Sequence, residues 1–300
     1  MSDAWNALKA HAWLLGLLGF FVLFLIYVLF YAIGGSTWTT ATPNLCVVHN
    51  DCYCENAPTR MSTGLVNQPG NTWSGLGPVV LGMIILGVLS YARPTGDNPM
   101  SRPTFYSWMY AALVVFLGPG SMAFHGSMTA IGGWLDQFSM SLFVTFVLLY
   151  DIFRFTKWDL LANGKTYFII AFVIINVVLG VPLLIGNYTD MGMFGTLAFG
   201  IPAGVAILLQ LIIGGVTVFS NGSVWGVRRG KSSPGGHEWW WLVAAFLSFM
   251  IGFGIWLFSN TGGPLCDPNS GLQGHVFWHI LAMGFTPFFL FFFLRSERRT

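Results

Sequence analysis

Long apolar stretches, separated by short polar segments, make up most of the chain. About 20 apolar residues are enough for a helix to cross the roughly 30 Å hydrocarbon core of a bilayer. The stretches are apolar on every face and lack the alternation of barrel strands, so they predict transmembrane helices. The predicted spans are residues 12–34, 73–92, 106–125, 133–154, 166–186, 194–219, 238–260 and 274–295.

These spans divide the chain into three parts. Residues 1–34 form a short tail and an anchor helix, residues 35–72 form a polar loop, and residues 73–300 contain seven helices. The first apolar run is longer than the core of a signal peptide and has no cleavage motif of small residues after it. The predicted fold is an all-α integral membrane protein with eight transmembrane helices, the first of which is a retained anchor.

The amino-acid composition excludes several other classes of protein. Hydrophobic residues make up 55% of the chain and charged residues only 8%. A soluble protein has about 25% charged residues, and a disordered chain is far more polar. The net charge of +2 provides no basic surface for nucleic acid. We therefore expect lipid surroundings and no nucleic-acid partner.

The basic residues predict the orientation in the membrane. If the N-terminus is cytoplasmic and the eight helices cross the membrane in alternating directions, 12 of the 13 lysine and arginine residues are cytoplasmic. Arg60 alone lies on the extracytoplasmic side. Cytoplasmic loops are rich in lysine and arginine, so this orientation is favoured. We predict cytoplasmic N- and C-termini, in a bacterial plasma membrane or a eukaryotic endomembrane.

All four cysteines fall on the predicted extracytoplasmic side, where disulfides persist. Four cysteines allow three pairings. We favour Cys54–Cys266, which joins the polar loop to the base of the last helix, together with Cys46–Cys52, which closes a small loop. A zinc site at Cys52-x-Cys54 is the alternative, and the compartment disfavours it.

Polar and ionisable side chains gather at the outer ends of three predicted helices. Ionisable groups at membrane depth are costly, so a functional role is their first interpretation. Five such side chains are predicted to lie at the same depth in the membrane. They are three histidines, one carboxylate and one hydroxyl: His125, His275, His279, Asp136 and Ser121. An interfacial position of the histidines and a helix-capping role of Asp136 are the structural alternatives.

The spacing of these residues indicates a zinc site. His275 and His279 are four residues apart and therefore project from one face of a helix. With His125 they form a three-histidine set, which in a catalytic zinc site leaves the fourth position for water. Asp136 is the candidate proton acceptor, and Ser121 is the candidate hydrogen-bond donor to an oxyanion.

The ordered set Ser121-x-x-x-His125, Asp136 and His275-x-x-x-His279 resembles the CREST superfamily of seven-helix membrane hydrolases, and most of all the alkaline ceramidases. The resemblance covers roughly residues 50–295, so it implies a seven-helix core to which the helix 12–34 is added as an N-terminal anchor. It implies a zinc ion held by the three histidines, with Asp136 and Ser121 beside the metal. It also implies hydrolysis of the N-acyl bond of ceramide or a related lipid, giving a long-chain base and a fatty acid.

A second, weaker match concerns calcium. Alkaline ceramidases begin with an Asp-Trp-Cys-Glu-x-Asn segment that binds calcium with a downstream Glu. The polar loop resembles this segment with shifted spacing, and the implied calcium ligands are Asp51, Glu55, Asn56 and Gln68. Calcium prefers several hard oxygen ligands, and the loop offers few carboxylates. A polar cap held by a disulfide is the equal alternative.

Other functions remain open at this point. A second CREST activity, a phospholipase-like esterase, shares the zinc motif. A seven-helix receptor of the progestin and adipoQ type also shares it, but the basic residues disfavour the orientation of such receptors. A transporter is disfavoured because the sequence shows no repeated broken helices. We expect a ceramide-like membrane lipid as the substrate, and no protein partner is evident.

Overall fold

The computed structural model describes residues 21, 25, 41–49, 53–55, 66–91, 98–157, 161–189, 200–212, 227–229 and 238–299. The predicted helix 12–34 lies outside these ranges, apart from Phe21 and Leu25, which are helical. The extra N-terminal helix therefore stays a prediction.

The described residues form ten α-helices, one 3-10 turn, one π-helical segment and two short strands. The helices are α1 (Leu45–Val48), α2 (Pro69–Ser74), α3 (Leu76–Tyr91), α4 (Phe105–Ser127), α5 (Ala130–Phe155), α6 (Gly164–Tyr188), α7 (Gly200–Ile212), α8 (Glu238–Phe258), α9 (Gly274–Phe277) and α10 (Thr286–Arg295). The 3-10 turn is Pro99–Ser101, the π-helical segment is Trp278–Phe285, and the strands are β1 (Val227–Arg229) and β2 (Glu297–Arg299).

Six helices in the described ranges are long and apolar enough to cross a membrane. They are Pro69–Tyr91, Phe105–Ser127, Ala130–Phe153, Gly164–Tyr188, Trp239–Phe258 and Gly274–Arg295. Each coincides with a predicted span, and the predicted span 194–219 is helical over Gly200–Ile212, the part that is described. The predicted class, a helical multi-pass membrane protein, is confirmed, while the seven-helix count of the core stays a prediction.

Helices α4 and α5 form an antiparallel hairpin with a very short turn. Met128 adopts a left-handed conformation (φ 53°) that ends α4, and α5 begins at Ala130. Gly120 lets the two helices approach closely, because a Cβ atom there would lie 2.6 Å from the Cβ of Ser139. The hairpin therefore brings the end of α4 next to the start of α5.

Aromatic side chains fill the core between the helices. Tyr110, Phe146, Phe168, Phe291 and Phe293 are fully buried. The outward face of α6 is apolar as well, and its exposed residues include Val173, Ile174, Val177, Val178 and Val181. An apolar exterior over a whole helix is expected where lipid, not water, surrounds the protein.

The two short strands pair antiparallel, with Arg228 opposite Arg298. The two strands therefore lie on the same side of the helix bundle. The basic residues of both segments were assigned to one side by the sequence, so this pairing agrees with the predicted alternation of the last two spans.

Candidate metal centre

Three histidines meet at one end of the helix bundle. His125, His275 and His279 are at most 4% exposed. Each offers one ring nitrogen within 4.8 Å of the nitrogens of the other two. The Nε2 atoms of His125 and His275 are only 3.1 Å apart. These residues form the histidine cluster, which can hold a metal ion.

Two helical segments supply the cluster. His125 lies in the last turns of α4, and His275 and His279 lie in α9 and in the π-helical segment that continues it. Their four-residue spacing places the rings of His275 and His279 with centroids 4.6 Å apart. π-helical segments are rare in proteins, and those that occur are often found at functional sites.

The hydrogen bonds of Gln68 decide which nitrogen of His125 faces the cluster. The Nε2 group of Gln68 donates to the backbone oxygen of Glu55, 3.0 Å away, so its Oε1 atom must be the acceptor towards His125. The Nδ1 atom of His125 lies 2.6 Å from this Oε1 atom and therefore carries the hydrogen. A partner of this kind fixes the ring and leaves Nε2 free to bind a metal.

Ser74 holds His279 in a similar way. Its Oγ atom lies 2.7 Å from Nδ1 of His279 and also donates to the backbone oxygen of Asn71. Because that hydroxyl hydrogen is already used, Nδ1 of His279 is the donor to Ser74. The Nε2 atom of His279 then faces the cluster.

Ser121 and Asp136 complete the site beside the histidines. The Oγ atom of Ser121 lies 2.9 Å from Nε2 of His279, the nitrogen that faces the cluster. The side chain of Asp136 interacts with Ser121 and is 6% exposed. Its Oδ1 atom is buried and receives no hydrogen bond from the described residues. The structure thus brings all five predicted residues together and leaves one carboxylate oxygen free to take a proton.

Tyr53–Glu55, which we name the cap segment, covers the histidine cluster. The ring of Tyr53 stacks on that of His275, with centroids 3.9 Å apart and planes inclined by 28°. Burial, and the negative charge of Asp136, raise the pKa of Tyr53 well above its usual range. Its phenol group therefore stays protonated.

The other two residues of the cap segment fasten it to the bundle. Cys54 forms a disulfide with Cys266, the pairing that the sequence favoured. The carboxylate of Glu55 accepts hydrogen bonds from the backbone N–H groups of Gly70 (2.8 Å) and Asn71 (2.9 Å) at the start of α2. A negative charge is stabilising at a helix N-terminus, so Glu55 positions α2 and its Ser74.

The calcium prediction has only two of its four residues in the described ranges. Asp51 and Asn56 lie outside them. The carboxylate of Glu55 caps α2, and the amide of Gln68 bonds to His125 and the cap segment. These contacts give both residues a role in building the histidine site, and calcium binding stays a prediction.

The second predicted disulfide is described at one end only. Cys46 is disulfide-bonded. Its predicted partner Cys52 lies outside the described residues.

An apolar cavity lies next to the histidine cluster and extends into the bundle. Its wall includes Leu117 and Met140, which stand one turn further along the helices from Ser121 and Asp136, and Trp278 beside His279. Helices α7, α8 and α10 line its other sides, its volume is about 120 Å³, and it is partly open to the surroundings. None of the five site residues lines this space, but residues one helical turn from Ser121 and Asp136 do, and its walls are almost entirely apolar.

The residues suit a metal ion in number and in chemistry. Three imidazoles converge, and the described part of the chain supplies no carboxylate or thiolate to this group. Imidazole ligands suit zinc, copper, iron and nickel, and three of them with one open position are typical of catalytic zinc. The Nδ1 atom of His275 is buried without a hydrogen-bond partner among the described residues.

The sequence did not reveal the roles of Tyr53 and Ser74, or the hydrogen bond that His125 donates to Gln68. These residues come from the polar loop and the first turn of a span, and no spacing relates them to the histidines.

The chain matches no model of a known protein family, and a search of curated proteins finds none that matches it.

Proposed function

We propose that this protein is a zinc-dependent intramembrane amidase that hydrolyses the N-acyl bond of ceramide or a related lipid. The observation that carries the proposal is the buried histidine cluster with Ser121 and Asp136 beside it, about one helical turn from residues that line an apolar cavity. Hydrolysis requires a polar centre, and the cavity, which is lined almost entirely by apolar side chains, suits a hydrocarbon chain. A membrane lipid with a cleavable carbonyl group combines a polar group for the histidine site with a hydrocarbon chain for the cavity.

The residues of the chain have distinct roles in this reaction. When bound, zinc would supply a Lewis acid and lower the pKa of a water molecule. Asp136 takes the proton of the attacking water and returns it to the leaving amine nitrogen. Ser121 donates a hydrogen bond to the oxyanion that develops on the carbonyl oxygen.

The cap segment and the cavity determine which molecules reach the site. Tyr53 covers His275, and the disulfide of Cys54 holds the segment in place. A lipid therefore enters from the side, between the helices, with its chain in the apolar cavity. We infer from the basic residues that the site faces the extracytoplasmic side and that both termini are cytoplasmic.

Mass spectrometry of the reaction products tests this function. Purified protein is incubated with ceramide and, separately, with a phospholipid, each with and without a metal chelator. We expect a free long-chain base from ceramide, which the chelator abolishes. A lysophospholipid without any long-chain base would identify an esterase instead, and no product from either lipid would favour a receptor.

A histidine substitution provides the matched control. His279→Ala is expected to abolish release of the base. His49→Ala changes an exposed histidine outside the cluster and is expected to leave the rate unchanged. Equal rates for both variants would contradict the proposal.

A further inference from the structure

The two short strands bring four arginines together at one end of the last membrane helix. Strand β1 contains Arg228 and Arg229, and β2 contains Arg298 and Arg299. The strands pair antiparallel, although they lie far apart in the sequence. Strand β2 begins two residues after the end of α10. The paired strands therefore lie close to the point where a membrane-spanning helix ends.

The register of the two strands places two of these arginines opposite each other. Arg228 is opposite Arg298, and the next pair along the ladder is Arg229 and Glu297. Opposite charges across a ladder stabilise it, whereas like charges directly opposite destabilise it. A two-stranded sheet alone is only marginally stable in water. The pairing of Arg228 with Arg298 is therefore favoured only when a negative charge lies beside it.

The two segments that contain the strands have almost no carboxylates of their own. Residues 191–237 contain no aspartate or glutamate, and residues 268–300 contain only Glu297. This glutamate already lies opposite Arg229. The negative charge for the other pair therefore comes from neither strand segment.

The position of the strands favours the headgroup of an anionic phospholipid as the source of this charge. The end of a membrane-spanning helix lies at the level of the lipid headgroups. A guanidinium group binds phosphate with two parallel hydrogen bonds, and arginine is the residue that suits this geometry best. The cytoplasmic side, to which the basic residues assign both segments, is also the side on which the leaflet carries a negative surface charge.

We propose that the paired strands form a binding site for the phosphate group of an anionic phospholipid, in which Arg228 and Arg298 bind the phosphate. The bound lipid then stabilises the pairing of the segment before α8 with the C-terminus. That pairing holds one end of the span Gly274–Arg295, and the other end of the same span contains His275 and His279. This inference goes beyond the amidase function and does not rest on it.

Lipid binding by the purified full-length protein tests the site without any turnover. Native mass spectrometry of the protein in detergent gives the dissociation constants of phosphatidylglycerol and phosphatidylcholine with the same acyl chains. Each arginine near an anionic lipid surface is expected to strengthen binding by about 5-fold, so two arginines predict about 30-fold tighter binding of phosphatidylglycerol. The double variant Arg228→Gln/Arg298→Gln is expected to bind both lipids equally.

Lys157→Gln/Lys165→Gln is the matched control. It removes the same number of positive charges from two exposed lysines beside α5 and α6, and it should keep the native preference. Arg298→Glu is a second variant, which places opposite charges across the ladder at Arg228. The sheet of this variant should form at least as well as that of the native protein, and the preference for phosphatidylglycerol should still be lost.

Four results would overturn the inference. The first two are equal binding of the two lipids by the native protein and an equal loss of preference in the arginine and lysine double variants. Displacement of phosphatidylglycerol by an equal concentration of inorganic phosphate would identify a site for the free anion. Tighter binding of a polyglutamate peptide than of the lipid would identify a surface for an acidic protein.

Discussion

Tyr53 stacks on the ring of His275 with 3.9 Å between the ring centroids. The neighbouring Cys54 is bonded to Cys266, and the next residue, Glu55, caps the helix that carries Ser74. Three consecutive residues of the polar loop thus contact a histidine of the cluster, the loop before α9 and the start of α2. The cap segment is therefore part of the candidate metal centre and not only its cover.

Replacing Tyr53 tests this relationship. Tyr53→Ala removes the stacked ring, and an aromatic contact contributes about 0.5–1.5 kcal/mol. We expect metal affinity to fall by about 2- to 10-fold, measured by competition with a chelator. Tyr53→Phe keeps the ring and should retain the native affinity. Equal affinities of the Ala and Phe variants would show that the ring does not support His275.

Gln68 distinguishes a role in positioning a histidine from a role in calcium binding. Gln68→Leu removes the acceptor for Nδ1 of His125, and loss of such a partner typically lowers metal affinity by about 10- to 100-fold. Gln68→Glu keeps an acceptor and should lose much less. Zinc affinity that is unchanged in Gln68→Leu, together with the loss of calcium binding, would reverse this assignment.

Asp136→Asn separates proton transfer from metal binding. The carboxylate is replaced by an amide of the same shape that cannot accept the proton. We expect the metal content to stay native and turnover to fall by about 10²- to 10⁴-fold. Near-normal turnover of ceramide in this variant would leave Asp136 with a structural role only.

The disulfide between Cys54 and Cys266 should stabilise the fold. It joins residues 212 positions apart, for which the chain-entropy model gives about 5 kcal/mol as an upper figure. Cys54→Ser is therefore expected to lower the thermal unfolding temperature while the metal stays bound. An unchanged unfolding temperature would show that the bonds of Glu55 hold the cap segment without the disulfide.

The sequence predicted those parts of the site that follow from local rules. The spacing of His275 and His279 places both on one helix face, and the alternation of spans brings His125 to the same end of the bundle. Composition and apolar length were sufficient to predict the described spans. These features depend on helix geometry and on the cost of polar groups in lipid.

The remaining parts depend on contacts that no local rule provides. The bond between Ser74 and His279 joins residues 205 positions apart. The hydrogen bond from Gln210 to Asp151 depends on how α7 packs against α5. The resemblance suggested calcium for Gln68, whereas its contacts in the fold are with His125 and the cap segment.

The metal content of the purified protein tests the central claim most directly. Elemental analysis is carried out on the native protein and on the double variant His275→Ala/His279→Ala, with His49→Ala as the control. We predict one zinc ion per chain in the native protein and in the control, and none in the double variant. A full complement of zinc in the double variant, or a native protein without zinc after expression in zinc-containing medium, would contradict the account.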